Sequence, residues 1–472
     1  MSSLSVPRRY FLWFLRLFTD IREGEEKSAL LMLANAFLVL WAYYLLKPLR
    51  EGWIAVSEIE GLEPVEVKAY SSFFQVLLLI PVVSLYGRFS ERWSRSTLIT
   101  RATLFCMSNV AIFWVLQPGF FVENLPFTGI AFYLWVGMFG VFVVAQFWAF
   151  AADAYNDGVG RRILPLVAIG ATAGGAFGSD VTQWLVNNEF VDTNMLLLVA
   201  LFPLGLSIVF TRIVDANLKA QDIQDTEEEV QVAQEPAKPD PAETSKGGFS
   251  VIFASSFLIA VAVITFLVNW VNTNGENLLY WVLQDVLTHE AISRGVTDSA
   301  ALLDFTREET TTFYAGFFGM VNWVALFLQA FVASRLLKYG GFGALLLLMP
   351  VVALISYSTM ALVSTLFVIR IMKVAENATD YSINNTARNV LWLPVDAAIV
   401  YKAKPAIDTV CARVGDGLAA FTVLLLVNLL DLPVASFFAL NIVLVIGWLG
   451  LSFVVIRGHR ALSKEEEIHA PA

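Results

Sequence analysis

Charge is what this chain has least of. Only 15% of its 472 residues are charged, against 57% apolar residues and a mean hydropathy of +0.66. A soluble domain carries about 25% charged residues, so a water-soluble enzyme is excluded. Histidine is scarce too: His289, His459 and His469 fall in a loop and the tail. Their spacing fits no metal site, which argues against metal catalysis and leaves no cofactor to expect. Cys106 and Cys411 lie far apart in apolar segments, so no disulfide framework is expected. No strand, glycine turn and Lys-Ser/Thr combination forms a phosphate loop. No nucleophile–base set is present, so no catalytic residue is assigned and an enzyme is not expected. Nucleic acid is not an expected partner. The stretch from Arg8 to Phe18 lacks a small-residue cleavage site and reads as an interfacial helix in a cytoplasmic N-terminus, residues 1–28.

Long apolar runs supply what charge does not. They recur along the whole chain, each long enough to cross a bilayer, and amount to about twelve spans of about 20 residues. The predicted spans are 29–56, 67–86, 97–117, 128–152, 163–186, 194–214, 249–283, 310–334, 343–362, 366–386, 404–429 and 432–456. The formal charge of −10 sits largely in a few loops. One set of loops holds the cations, such as Arg88, Arg92, Arg95, Arg161, Arg162, Arg335 and Lys338; the other set holds Glu58, Glu60, Glu63, Glu123 and Asp431. By the positive-inside rule both termini are cytoplasmic. Arg294 and Arg307, after span seven, are the exception. Residues 215–248, with Glu227 to Glu229 and Pro236 to Pro241, have linker composition. They divide the chain into six-span halves at 29–214 and 249–456, followed by a cytoplasmic tail at 457–472. Spans one and seven are both long and interrupted by polar residues at similar depth. That pattern points to a transporter site near the midplane.

An ionised group at the bilayer centre costs about 2.5–3.5 kcal/mol, so the charges inside spans are the candidate site. Span one carries Lys47, Arg50 and Glu51 beside Pro48. Either the helix continues past them with a kink, or it ends at Leu46 and they snorkel outward. In span ten, Arg370, Lys373, Glu376, Asn377, Asp380 and Asn384 fall on one stripe about 100° wide. They either face a cavity or form structural pairs six to seven residues apart. Glu276, near Asn272 and Asn274 in span seven, either binds a coupling proton or cation, or holds a cation such as Lys47. Asp153 and Asp157 end span four. Gly170, Gly174, Gly175 and Gly178 in span five read as close helix packing. The cations Lys47, Arg50, Arg370, Lys373, Lys404 and Arg413 exceed what Glu276, Glu376 and Asp408 would neutralise. A cavity with spare positive charge selects an anion; Trp41, Tyr43, Tyr44 and Tyr381 either stack on a base or serve as ordinary packing.

Three sets of residues resemble known families. Gly87 to Arg95, with Glu91 and Arg92, resembles the cytoplasmic signature of the major facilitator superfamily, and Arg335 to Lys338 sits at the matching place of the second half. An ordinary positive-inside loop would look similar. Tyr44-Leu-Leu-Lys47-Pro-Leu-Arg50-Glu51 and Phe147-Trp148-Ala-Phe150 resemble segments of the ADP/ATP translocases of plastids and intracellular bacteria. The series from Asp380-Tyr381-Ser382 through Leu393-Pro394, Lys404-Pro-Ala-Ile407-Asp408 and Gly415 is similar to that family's later motifs. The resemblance implies nucleotide transport, with Lys47, Arg50 and Lys404 as phosphate contacts. Gly415-Asp416-Gly417 departs from the family's Gly-Lys-Ser-Gly, placing an acid where a cation is expected.

The expected protein is therefore all-α, with 12 transmembrane helices in a major-facilitator-like 6+6 bundle around a central cavity. It is expected to lie in the inner cell membrane as a monomer, with the lipid bilayer and a small anionic substrate, a nucleotide, as its partners. Lys47, Arg50, Arg370, Lys373, Asn377, Tyr381 and Lys404 are the candidate substrate contacts. Glu276, Glu376, Asp380 and Asp408 are the candidates for coupling or charge pairing. The alternatives are a transporter of a non-nucleotide solute and a non-transporting membrane sensor or partner protein.

Overall fold

A computed structural model describes residues 21–22, 25–90, 93–117, 127–155, 157–188, 190–228, 248–430 and 432–469. The predicted interfacial helix at Phe11 to Phe18, and Glu91 and Arg92 of the signature, lie outside these residues. Among those described, the long elements are all helical and no strand occurs. A bilayer core leaves no water for the backbone, so helices that satisfy their own N–H and C=O groups are the stable solution.

The helices are α1 (Glu26–Ala55), α2 (Pro64–Ser90), α3 (Arg95–Val115), α4 (Thr128–Asp153), α5 (Asp157–Asn187), α6 (Leu196–Glu228), α7 (Ser256–Ser293), α8 (Ser299–Phe327), α9 (Ser334–Leu362), α10 (Leu366–Thr379), α11 (Ala412–Val423) and α12 (Ala435–His469). Wide π turns follow α8 (Leu328–Ala333) and α10 (Asp380–Asn384), and flank α11 (Ile407–Cys411 and Leu424–Leu429). Helix Asn385–Leu391 continues α10, and helix Ala397–Ala406 leads into α11. Among the described residues, eight helices are long and apolar enough to cross a membrane. The stretch 366–391 falls outside that set because Arg370, Lys373, Glu376, Asp380 and Arg388 load it with charge. Large exposed apolar side chains such as Phe105, Phe202, Ile355 and Val443 are what lipid contact requires and water would penalise.

Three expectations change. Spans one and seven are not interrupted in their backbone, since α1 and α7 run unbroken through their polar residues. Spans eight and nine are joined by a continuous helical stretch over 299–362 that bends at Gly341, where φ is +68°. Finally, α6 extends to Glu228, well into the stretch read as linker. Residues 215–228 contain no glycine or proline and several good helix formers, so nothing stops the helix at Asp215. Residues 229–247 lie outside those described.

The chain forms two compact units. The first comprises Met1–Ser57, Leu77–Ala233 and Gly295–Leu326; the second comprises Glu58–Val76, Gln234–Arg294 and Phe327–Ala472.

In the first unit α1 packs against α4, α5 and α6, burying Leu45, Leu46, Leu49 and Trp53 with Phe132, Phe139, Leu197 and Leu204. Gly174 permits the α1–α5 approach: a Cβ there would lie 2.2 Å from the carbonyl oxygen of Phe37. Pro48 cannot donate to the carbonyl of Tyr44 one turn earlier. Thr182 Oγ1, on α5, lies 3.4 Å from that carbonyl oxygen, so the proline is accommodated inside an unbroken helix.

In the second unit α7 packs on α10, α11 and α12, and α9 packs on α10 and α12. Val271, Leu278, Leu345, Met349, Ile369, Phe437 and Trp448 are buried there. Ser255 and Thr365 cap α7 and α10 by accepting from the N–H groups of Leu258 and Val368.

Candidate functional site

The polar interior of the second unit is built where α10 meets α7, α9 and α12. Lys373 and Glu376, one turn apart on α10, are both 0% exposed. Lys373 Nζ donates to Glu376 Oε2 at 2.9 Å and to Asn272 Oδ1 of α7 at 3.1 Å. Tyr357 Oη, on α9, lies 3.1 Å from Glu376 Oε1 and 3.0 Å from the main-chain oxygen of Val271. At the next residue of α10, Asn377 Nδ2 donates to Glu276 Oε1 at 2.6 Å. Asn274 Nδ2 donates to Asn441 Oδ1 of α12 at 3.1 Å, and Asn441 Nδ2 lies 3.4 Å from the oxygen of Val271. Asn272, Asn274 and Glu276 of α7 are thus each met by a side chain of a neighbouring helix, so the backbone need not unwind there. Gly275 makes room for the cluster, since a Cβ there would lie 2.2 Å from Tyr357 Oη and 2.7 Å from Lys373 Nζ.

The stripe thus forms an ion pair three residues apart, tighter than the six- to seven-residue pairs considered from the sequence. Asn384 Nδ2 donates to Asp380 Oδ1 at 2.6 Å. Arg388 pairs with Asp408 at 3.2 Å. Tyr381 is 36% exposed, and Arg370 and Lys404 are half-buried. Asp416 is held by Arg413 Nη1 at 3.0 Å and by Thr273 Oγ1 at 2.8 Å.

The first unit has a separate cationic set. Lys47 Nζ sits 3.9 Å from the ring centroid of Phe318 on α8, 5.2 Å from Tyr44 and 5.9 Å from Tyr43. All three lie within the range of cation–π attraction. Arg50 Nε pairs with Glu51 Oε1 at 2.9 Å, and its guanidinium lies over the Tyr133 ring at 4.8 Å. Lys47, Arg50 and Glu51 all lie inside the helix, so α1 does not end at Leu46.

Much of the cationic excess read from the sequence is therefore compensated. Glu51 takes Arg50, Asp416 takes Arg413 and Glu376 takes Lys373. Arg294 and Arg307, the exceptions to the loop pattern, pair with Glu290 and Asp304. The side chains of Asp153, Asp157 and Arg161 lie outside the described set. Sequence reasoning missed Tyr357, Asn441, Phe318 and Lys68. Lys68 Nζ stands 4.3 Å from the Tyr280 ring, with both residues buried. Asn441 was signalled by being a lone amide in an apolar span. Phe318 had no sequence signal, because one more phenylalanine among 37 carries none.

The architecture is that of a multi-pass helical membrane protein of the major facilitator type. It is similar to a D-xylose-proton symporter (TM-score 0.58, 11% identity, covering 90% of this chain and 97% of that one). It is also similar to a POT family transporter in complex with 5-aminolevulinic acid (0.57, 10%, covering 95% and 99%) and to the human organic anion transporter MFSD10 (0.51, 13%, covering 92% and 99%). No curated protein matches the chain by sequence. Residues 306–465 are similar to the family model of the TLC ATP/ADP transporters, a match that lies within the last third or so of the chain.

Proposed function

We propose that this protein is a secondary transporter of nucleotides or closely related phosphorylated anions, working by alternating access from the inner cell membrane with both termini cytoplasmic. The carrying observation is that the TLC match over 306–465 overlies the buried stripe with Lys373, Glu376 and Asn377. Charged groups kept inside a membrane mark substrate or ion pathways. In this reading Lys47 and Arg50 meet phosphate, with Tyr43 and Tyr44 available to a base. Arg370, Lys373, Asn377, Tyr381 and Lys404 serve the second unit, and the protein acts as a monomer. The test is exchange of labelled ATP, ADP and phosphate by the full chain in proteoliposomes. Exchange of ATP against ADP is expected; folded protein that exchanges none of the three ends the nucleotide reading.

A second reading is transport of another organic anion. Asp416 favours it, because its carboxylate engages Arg413 where the translocase pattern would place a further cation. Protection of the purified protein against heat by a non-phosphorylated organic anion, and not by nucleotides, would select it.

A further inference from the structure

The contacts around Tyr357 leave room for one more hydrogen. Its hydroxyl carries a single proton, yet lies 3.1 Å from Glu376 Oε1 and 3.0 Å from the main-chain oxygen of Val271. While Glu376 is ionised, both neighbours are acceptors, so one of these close oxygen–oxygen contacts has no hydrogen in it. A proton on Glu376 supplies it: the carboxyl donates to Tyr357 Oη, and Tyr357 donates to Val271 O. The other carboxylate oxygen, Oε2, holds Lys373 Nζ at 2.9 Å. The groups facing Glu376 are Tyr357 from α9, Asn272 and Glu276 from α7, and Asn441 from α12 by way of Val271 O. From α10 itself come Lys373, Asn377, and, about a turn or more away, Asp380 and Arg370.

We propose that Glu376 is a proton site with Tyr357 as its relay, and that its protonation opens Lys373 to an anion. The second half rests on the anion-transport reading; the first half does not. Neutralising Glu376 leaves the Lys373 ammonium buried, with Asn272 Oδ1 as its neutral partner. An unpaired buried charge is costly, and an incoming anion restores the balance. Proton and anion therefore enter together. The Lys373–Glu376 pair is the resting state, with the carboxylate occupying the place that the substrate's anionic group takes next.

Two measurements on the full chain test this. Infrared spectra recorded across roughly pH 5 to 8 should contain a protonated-carboxyl band that disappears in Glu376→Gln and moves in Tyr357→Phe. A band unchanged in both variants overturns the proton site. In proteoliposomes, ATP, ADP and phosphate are then offered with and without an acidic exterior. Each proton carried should add about tenfold accumulation per unit of pH gradient, and Glu376→Gln should lose this drive. Wild-type uptake that ignores the gradient overturns the coupling while leaving nucleotide transport standing. A Glu376 band with no uptake of any probe keeps the proton site and ends the nucleotide reading.

Discussion

Lys373 and Glu376 hold each other at 2.9 Å with both side chains sealed from solvent. Removing one partner of such a pair strands a charge, at about 3–5 kcal/mol, whereas replacing both with apolar groups is often neutral. Lys373→Met and Glu376→Leu should therefore each lower the thermal midpoint of the purified protein sharply. The double variant should recover most of the loss. Equal loss in the double variant would mean that the pair does not balance charge.

Gly275 should resist any side chain. A Cβ there collides with Tyr357 Oη and Lys373 Nζ, and overpacking of this kind costs about 1–3 kcal/mol. Gly275→Ala should lower the thermal midpoint, and shortening the clashing side chain with Tyr357→Ala in the same chain should relieve part of the effect.

Lys47 lies among the rings of Phe318, Tyr44 and Tyr43, and in the nucleotide reading its ammonium meets phosphate. Lys47→Gln should weaken nucleotide binding by about tenfold to a hundredfold, the range of one charged hydrogen bond. Phe318→Ala should weaken it less, by loosening the ammonium's position. Equilibrium binding of labelled ADP to both variants checks the order.

Asp416 occupies Arg413 and Thr273. Asp416→Asn keeps the size and removes the charge, which frees the guanidinium. ADP affinity should rise severalfold in this variant; unchanged affinity would place Arg413 away from the substrate's path.

His459, beyond the end of span twelve, stacks on Phe342 with centroids 4.0 Å apart, and its Nε2 faces the carbonyl oxygen of Val390 at 3.3 Å. Burial holds its pKa below the ordinary imidazole value, with the Val390 carbonyl partly opposing the shift. The fold therefore favours the neutral ring. The stability this gives is complete above the unfolded value of about 6.5 and is lost as the pH falls through the lowered folded value. Thermal midpoints measured downward from neutral pH should decline in the wild type and decline less in His459→Phe.

Most of the fold was legible in the sequence, because apolar runs long enough to span a bilayer have one structural outcome. The α10 stripe was legible for the same reason: charge inside such a run has to be placed deliberately. What could not be read was the partner of each charge. Glu51 beside Arg50, and Asp416 one turn from Arg413, were present in the sequence, but only the side-chain geometry shows that they close those pairs. Phe318 reaches Lys47, and Tyr357 reaches Glu376, through contacts between helices that no local pattern records. The reach of α6 past Asp215 was hidden by composition, since a polar segment free of glycine and proline can be linker or helix.

The wide turn at Asp380–Asn384 bears on how the chain can be shortened. A π turn holds one residue more than the α-helix needs, and each residue advances a helix by about 100°. Everything beyond it, including the Arg388 that meets Asp408, therefore owes its bearing to that surplus residue. Deleting one residue there would leave a regular, well-bonded helix whose far end points the wrong way. The turn acts as a phase adjuster between the buried charges and the surface pairs below them.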